Sequence, residues 1–265
     1  MKEHRARKRF GQHFLHDRGV IGRIVAALAP RPEDRIVEIG PGTGALTRAL
    51  LTHVAHLDAV ELDRDLVARL QTEFPAGKLT LHSADALKYD FCQLARDGRK
   101  LRLIGNLPYN ISTPLLFHLL DQAFCIQDML FMLQKEVVTR LGAAPGGKDY
   151  GRLSVMIQYR CAVENLFDVA SGAFTPPPQV DSSVVRLAPH AAPPVVVNDP
   201  DKFARLVQAA FASRRKVLRN TLKNFLRAEE MLALGIDPIR RAETLTLVEF
   251  ATLSNAVTPR SQDEQ

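Results

Sequence analysis

The sequence predicts an α/β fold: a mostly parallel, doubly wound sheet with an antiparallel edge, followed by a small all-α domain. Three observations predict it. A glycine-rich turn, Gly40-Pro41-Gly42-Thr43-Gly44, stands between a buried-strand pattern and a helical one. Strand and helix patterns then alternate through residue 141, as parallel strands joined by crossover helices require. From Phe203 onward the apolar spacing is helical, with few strand signals.

Residues 1–12 are polar and basic, and Ile21, Ile24, Val25 and Leu28 place a helix over 20–28. Arg35-Ile36-Val37-Glu38-Ile39 reads as a buried strand, followed by the glycine turn and a helix over 45–51. A strand over 55–62, a helix over 64–73 and a strand over 79–82 come next, the last ending in Ser83-Ala84-Asp85. The fourth strand, 101–104, runs into Gly105-Asn106-Leu107-Pro108-Tyr109, then a helix through 115–120, a strand over 128–133 and a helix over 135–141. Residues 143–151, rich in Gly and Pro, read as a flexible loop before a helix over 153–160. Strands near 164–169 and 182–189 form the antiparallel edge, separated by the rigid extended stretch Phe174-Thr175-Pro176-Pro177-Pro178-Gln179-Val180. This divides the chain into a domain over 1–190, a linker over 191–200 and a helical domain over 201–265.

The chain has 265 residues, of which 46% are apolar, enough for a large core and a small second one. No apolar run approaches the length of a membrane span, and the basic N-terminus leads into no apolar segment of the secretory kind. Cys92, Cys125 and Cys161 are odd in number and far apart, which predicts neither disulfides nor a zinc site but a reducing, cytoplasmic setting. Lone His53 and His56 carry no third ligand, so no metal is expected. Net charge is +6, unevenly spread. Residues 1–23 hold seven Lys/Arg, Lys8 and Arg9 among them, and 202–227 hold eight with no acid, leaving a net of −7 elsewhere. Concentrated basicity of this kind predicts a polyanion-binding surface that includes Arg214, Arg215, Lys216, Arg219 and Lys223.

Gly40, Gly42 and Gly44 let backbone N–H groups and a helix N-terminus approach a ligand. Glu61, at the end of the next strand, is placed to accept from ribose hydroxyls. These features fit dinucleotide enzymes as well. Two further acids favour S-adenosylmethionine: Glu38, beside the turn, suits an ammonium or sulfonium and repels a pyrophosphate, and Asp85 suits an adenine amine. In the loop after the fourth strand, the Asn106 amide oxygen, a carbonyl of Leu107 or Pro108 and the flat face of Tyr109 match the edge and face of a planar ring bearing an exocyclic amine.

Phe10-Gly11-Gln12-His13-Phe14-Leu15, Glu38-Ile39-Gly40-Pro41-Gly42-Thr43-Gly44, Glu61-Leu62-Asp63, Asp85-Ala86-Leu87 and Asn106-Leu107-Pro108-Tyr109 together resemble the rRNA adenine N6-methyltransferases. Gly151-Arg152-Leu153-Ser154, the stretch from Phe174 through Asp181-Ser182-Ser183-Val184-Val185, and Arg214-Arg215-Lys216-Val217-Leu218-Arg219-Asn220 resemble, within that group, the bacterial small-subunit (16S) rRNA dimethyladenosine transferase family. Position 13 is His where many relatives carry Asn. The resemblance implies a Rossmann-like class I methyltransferase fold and dimethylation of two adjacent adenosines in a hairpin near the 3′ end of small-subunit rRNA. It also implies that His13 and Leu15 close over the methionine end of S-adenosylmethionine. Gly40, with Gly42 and Gly44, would contact the cofactor through backbone; Glu61 and Leu62 would meet the ribose side, and Asp85 and Ala86 the adenine. Asn106 would face both cofactor and target base, with Tyr109 and Phe174 sandwiching that base. Partners implied are an immature 30S particle and no membrane, for a monomeric enzyme of ribosome biogenesis. An NAD-linked oxidoreductase leaves Asn106–Tyr109 without a role, and a non-catalytic ribosome-assembly or transcription factor that kept the fold predicts RNA binding without turnover.

Overall fold

The computed structural model describes residues 12–75 and 77–258. The chain divides into two compact units, one formed by residues up to 138 with 162–189, the other by 139–161 with 190 onward.

In the first unit a two-residue strand, β1 (Phe14–Leu15), leads into helix α1 (Arg18–Leu28), whose N-terminus is capped by the Asp17 side chain. Then follow β2 (Arg35–Ile39), α2 (Ala45–Leu50), β3 (Leu57–Glu61), α3 (Arg64–Glu73), β4 (Leu79–Ser83), β5 (Leu101–Asn106), α4 (Ser112–Asp121), β6 (Ile126–Gln134) and α5 (Lys135–Leu141). Helix α6 (Arg152–Arg160) precedes β7 (Cys161–Val169), β8 (Phe174–Thr175) and β9 (Ser182–Pro189). The sheet order is β4-β3-β2-β5-β6-β9-β7. Strands β2 to β6 pair in parallel and β9 returns antiparallel on β6, so the predicted fold class holds. Short β1 and β8, which the residue pattern did not suggest, pair with one another outside the main sheet.

The chain leaves β2 toward β3 on one side and returns to β5 on the other. In doubly wound sheets the crevice beyond the strand ends at such a reversal is the natural ligand site. Register places Glu38 opposite Ile104, which brings the glycine turn level with Asn106. Gly105 makes this close approach possible: a Cβ there would lie 2.4 Å from the Ile39 carbonyl oxygen.

The reading of the cysteines is overturned. Cys92 and Cys125 form a disulfide, with Cα atoms 5.5 Å apart, and Cys161 is the free, buried one. Cys92 lies in the approach to β5 and Cys125 immediately before β6, and these strands pair in parallel from Leu101 and Ile126, so their starts are neighbours. The Gln122 side chain ties the two segments, accepting from Phe91 N at 2.7 Å and donating to Tyr89 O at 3.1 Å. Sequence separation concealed this pairing, and the cysteines give no basis for a reducing compartment.

The second unit comprises α6, α7 (Pro200–Ala210), α8 (Leu218–Thr221), α9 (Ala228–Ala233) and α10 (Leu247–Ala256). Residues 139–161, expected with the sheet domain, pack here instead. Tyr159 of α6 lies 4.9 Å from the Phe203 ring of α7, and Tyr150 stands edge-on to Phe211 at 6.2 Å. The apolar face of α6 thus completes a helical core, which a boundary at residue 190 misses. The stretch 143–151 is held as well: Gly146 N donates to Glu243 O at 2.7 Å, and Tyr150 is buried. Among the described residues, no helix is long and apolar enough to cross a membrane.

Candidate active site

A cavity of about 380 Å³ opens at the C-terminal ends of β2, β3 and β5, where the order reverses. Glu38, the penultimate residue of β2, is buried in its wall. Its Oε2 accepts from Thr47 Oγ1 at 2.6 Å. Burial pushes the Glu38 carboxyl up to about 7, against the pull of the Thr47 hydroxyl, with Glu61 adding repulsion and Arg48 opposing it. A raised folded value means that the folded chain holds this proton more tightly than the unfolded one. The resulting stability is fully present below the ordinary value of 4.5 and is lost as pH rises through about 7. The ligand-free protein is therefore expected to lose up to about 3 kcal/mol relative to Glu38→Gln between pH 5 and 8 in urea melts. Parallel profiles for the two proteins would reject this.

Glu61 ends β3, and its two oxygens are both engaged: Oε1 accepts from Asp63 N at 2.8 Å and Oε2 from Gly42 N at 3.3 Å. The carboxylate thus links the glycine turn to the start of α3. Burial raises its pKa and the backbone donors oppose that rise. Asp85 Oδ1 accepts from Leu87 N at 3.0 Å, shaping the turn that brings Asp85 and Ala86 to the cavity; Leu62 also lines it, half-exposed.

The loop after β5 is pinned at both ends. Leu107 N donates to Met132 O at 3.2 Å, and the Ser112 hydroxyl donates to Tyr109 O at 3.0 Å. Asn106 Nδ2 donates to His13 O at 2.8 Å, which commits its amide nitrogen and leaves the Oδ1 atom for another donor. Leu107, Pro108 and Tyr109 line the cavity with Asn106. His13 lies beside the Tyr109 ring, centroids 5.7 Å apart and planes 27° apart, and its Nδ1 is 2.8 Å from Pro176 O. His13, Leu15, Glu38, Gly40, Gly42, Glu61, Leu62, Asp85, Ala86 and Asn106 all line this one cavity.

Two expected members do not. Phe174 is buried in the apolar core on β8, paired with Leu15, and is absent from the cavity lining. Its apolar side chain is worth more packed than exposed. Gly44 also stays out of the lining. Its φ is +78°, and a Cβ there would lie 2.8 Å from Leu70 Cδ2 of α3, so it is needed for close packing of α2 on α3. Gly44→Ala is expected to cost about 1–3 kcal/mol of stability through strain and overpacking, read as a lowered urea midpoint. An unchanged midpoint with weakened cofactor binding would restore its ligand role.

Residue pattern alone missed Thr47 and Ser182. Thr47 carries the Glu38 hydrogen bond, and Ser182 Oγ lies 2.8 Å from the Tyr109 hydroxyl. Ser182 was legible only as part of a motif, and Thr47 gave no signal.

In the second unit Arg214, Arg215, Lys216, Arg219 and Lys223 are all exposed. The first three lie on a turn ahead of α8 and not on a helix. Arg214 donates to Lys148 O and stands 3.9 Å from Glu243. Lys8 and Arg9 lie outside the described residues.

The family model described as ribosomal RNA adenine dimethylase matches residues 3–258. The chain belongs to that family. This rRNA adenine dimethylase is a methyltransferase, and its chemistry is adenine dimethylation in ribosomal RNA; the oxidoreductase alternative is set aside. It is 57% identical over 254 residues to Ribosomal RNA small subunit methyltransferase A of Pseudomonas aeruginosa, covering 96% of this chain and 95% of that one. It is 58% identical over 253 residues to the protein of the same name from Nitrosococcus oceani, covering 95% and 96%. Among solved structures, a dimethyladenosine transferase from Plasmodium falciparum superposes with a TM-score of 0.76 at 25% identity, over 91% of this chain and 96% of that one. The 23S rRNA methyltransferase ErmE shares the fold, with a TM-score of 0.70 at 24% identity over 92% and 99%.

Proposed function

We propose that this chain uses S-adenosylmethionine to dimethylate N6 of two adjacent adenosines in a hairpin near the 3′ end of small-subunit (16S) rRNA. It would act as a monomer in the cytoplasm, on an immature 30S particle, during ribosome biogenesis. The observation that carries the reading is Asn106: its nitrogen is held by His13 O, which leaves its oxygen as an acceptor on a residue lining the same cavity as Glu38 and Glu61.

The residues present fit the cofactor. A buried carboxylate with a raised pKa and a single hydroxyl partner, Glu38, suits a cationic ligand end. Glu61 would take ribose hydroxyls, Asp85 and Ala86 the adenine, and His13 and Leu15 would cover the methionine end. When bound, S-adenosylmethionine supplies an electrophilic methyl on a sulfonium. The work of the chain is to aim a weak nucleophile. The N6 lone pair of adenine is delocalised into the ring. Asn106 Oδ1 and a carbonyl of Leu107 or Pro108 accept the two N6 hydrogens and favour a pyramidal nitrogen as charge develops. Tyr109 stacks on one face of the flipped-out base, which fixes N6 in line for transfer. No strong base is required, because an N6 with four bonds is acidic enough for solvent to take its proton. The exposed basic residues around Arg215 would hold phosphates.

The test is to incubate the protein with methyl-labelled S-adenosylmethionine and immature small subunits lacking the modification, then to identify the labelled nucleoside by mass spectrometry. N6,N6-dimethyladenosine at two adjacent positions is expected. Label absent from adenosine, or confined to large-subunit RNA, would sink the reading.

A further inference from the structure

The chemistry above gives no role to Asp181-Ser182-Ser183, yet each of these residues is anchored. Asp181 Oδ1 accepts from Ser171 N at 3.1 Å, and its carbonyl accepts from Lys135 N at 3.0 Å. The Ser183 hydroxyl donates to Asp168 Oδ1 at 2.6 Å, and Asp168 in turn pairs with Lys135 Nζ at 2.6 Å. Ser182, fully buried at the start of β9, stands opposite Gln134 of β6 and places its Oγ 2.8 Å from the Tyr109 hydroxyl. Tyr109 is thus held at its carbonyl by Ser112 and at the far end of its ring by a strand whose position is itself fixed. Burial raises the Tyr109 pKa, so the phenol remains protonated and the bond is between two neutral hydroxyls.

The geometry points to Ser182 as a positioning residue that sets the plane of the Tyr109 ring, and through it controls the second methyl transfer more strongly than the first. This rests on the proposed reaction. Adenine brings two N6 hydrogens to Asn106 and the loop carbonyl. N6-methyladenine brings one, so an acceptor drops out and more of the aim depends on the stacked ring. A ring free to tilt costs little while both acceptors are engaged and more when only one is.

The test uses wild type, Ser182→Ala, Tyr109→Phe and the double variant of the full chain under single-turnover conditions on undermethylated small subunits. N6-methyladenosine and N6,N6-dimethyladenosine are quantified over time to give rate constants for each transfer. Each single variant is expected to lower the ratio of second to first rate constant about three- to tenfold, the range for one lost hydrogen bond, and the double variant to fall no further. Monomethylated product should accumulate. Equal slowing of both transfers, or losses that multiply in the double variant, would overturn the assignment. Tyr109→Phe probes the same bond from the less buried partner, so poor folding of Ser182→Ala does not decide the outcome. A wild type that dimethylates no adenosine would overturn the functional reading and this inference with it. A wild type that does so, with unchanged ratios in the variants, would overturn this inference alone.

Discussion

Asn106→Ala is expected to slow methyl transfer about 10²- to 10³-fold, the scale seen when one directed polar group is removed from a developing charge. On the proposed mechanism, in which Asn106 Oδ1 accepts from N6 in each transfer, both should fall together. The side chain also acts on the cofactor segment, because its Nδ2 holds the backbone of His13 at 2.8 Å, on the stretch expected to cover the cofactor. Losing that bond costs about 1 kcal/mol, which weakens cofactor affinity about fivefold. The two effects differ by more than tenfold, so calorimetry with S-adenosylmethionine and single-turnover rates separate them. If binding falls as far as the rate does, Asn106 is a cofactor residue and not an aiming one. Asn106→Asp should fail for a further reason: its second oxygen faces the His13 carbonyl and sets lone pair against lone pair.

Replacing Arg215 and Lys216 together by Gln is expected to flatten the salt dependence of RNA binding by about 1.4 to 1.8 in log–log slope, each phosphate contact contributing about 0.7 to 0.9. These two are the better choice because Arg214 also ties Lys148 O and Glu243 within its own unit, so its removal mixes folding with binding. Titrations between low and moderate salt check the slope, and thermal melts check that the fold is kept. A slope equal to that of wild type would show that phosphates lie elsewhere, and the reading of this turn as an RNA surface would be lost. The rate at saturating RNA should hardly change, because these residues lie outside the cavity.

Much of the candidate site was legible because its signals are local. The glycine turn, the acid ending the following strand and the loop at 105–109 each sit within a few residues of the element that positions them. Strand and helix periods over 35–141 come from alternation of apolar residues, which any short window contains. Helix α3 matches its expected bounds because Asp63 caps it, its carboxylate accepting from Asp65 N at 3.1 Å. The burial of Phe174 was not legible for the opposite reason: a Phe between small residues and prolines carries the same local signal whether it stacks on a base or fills a core. Its burial follows from β8 pairing with β1, about 160 residues earlier in the chain, at the register Leu15 to Phe174.

By itself, the order of residues determined the family, the alternating architecture and the cavity-forming motifs. Tertiary structure alone decided that Cys92 meets Cys125, that Gly44 serves packing, that 139–161 joins the helical unit and that Ser182 grips Tyr109. The physical reason is range. Periods, caps and turns are set by neighbours along the chain, whereas these four depend on which distant strands and helices come to lie beside one another.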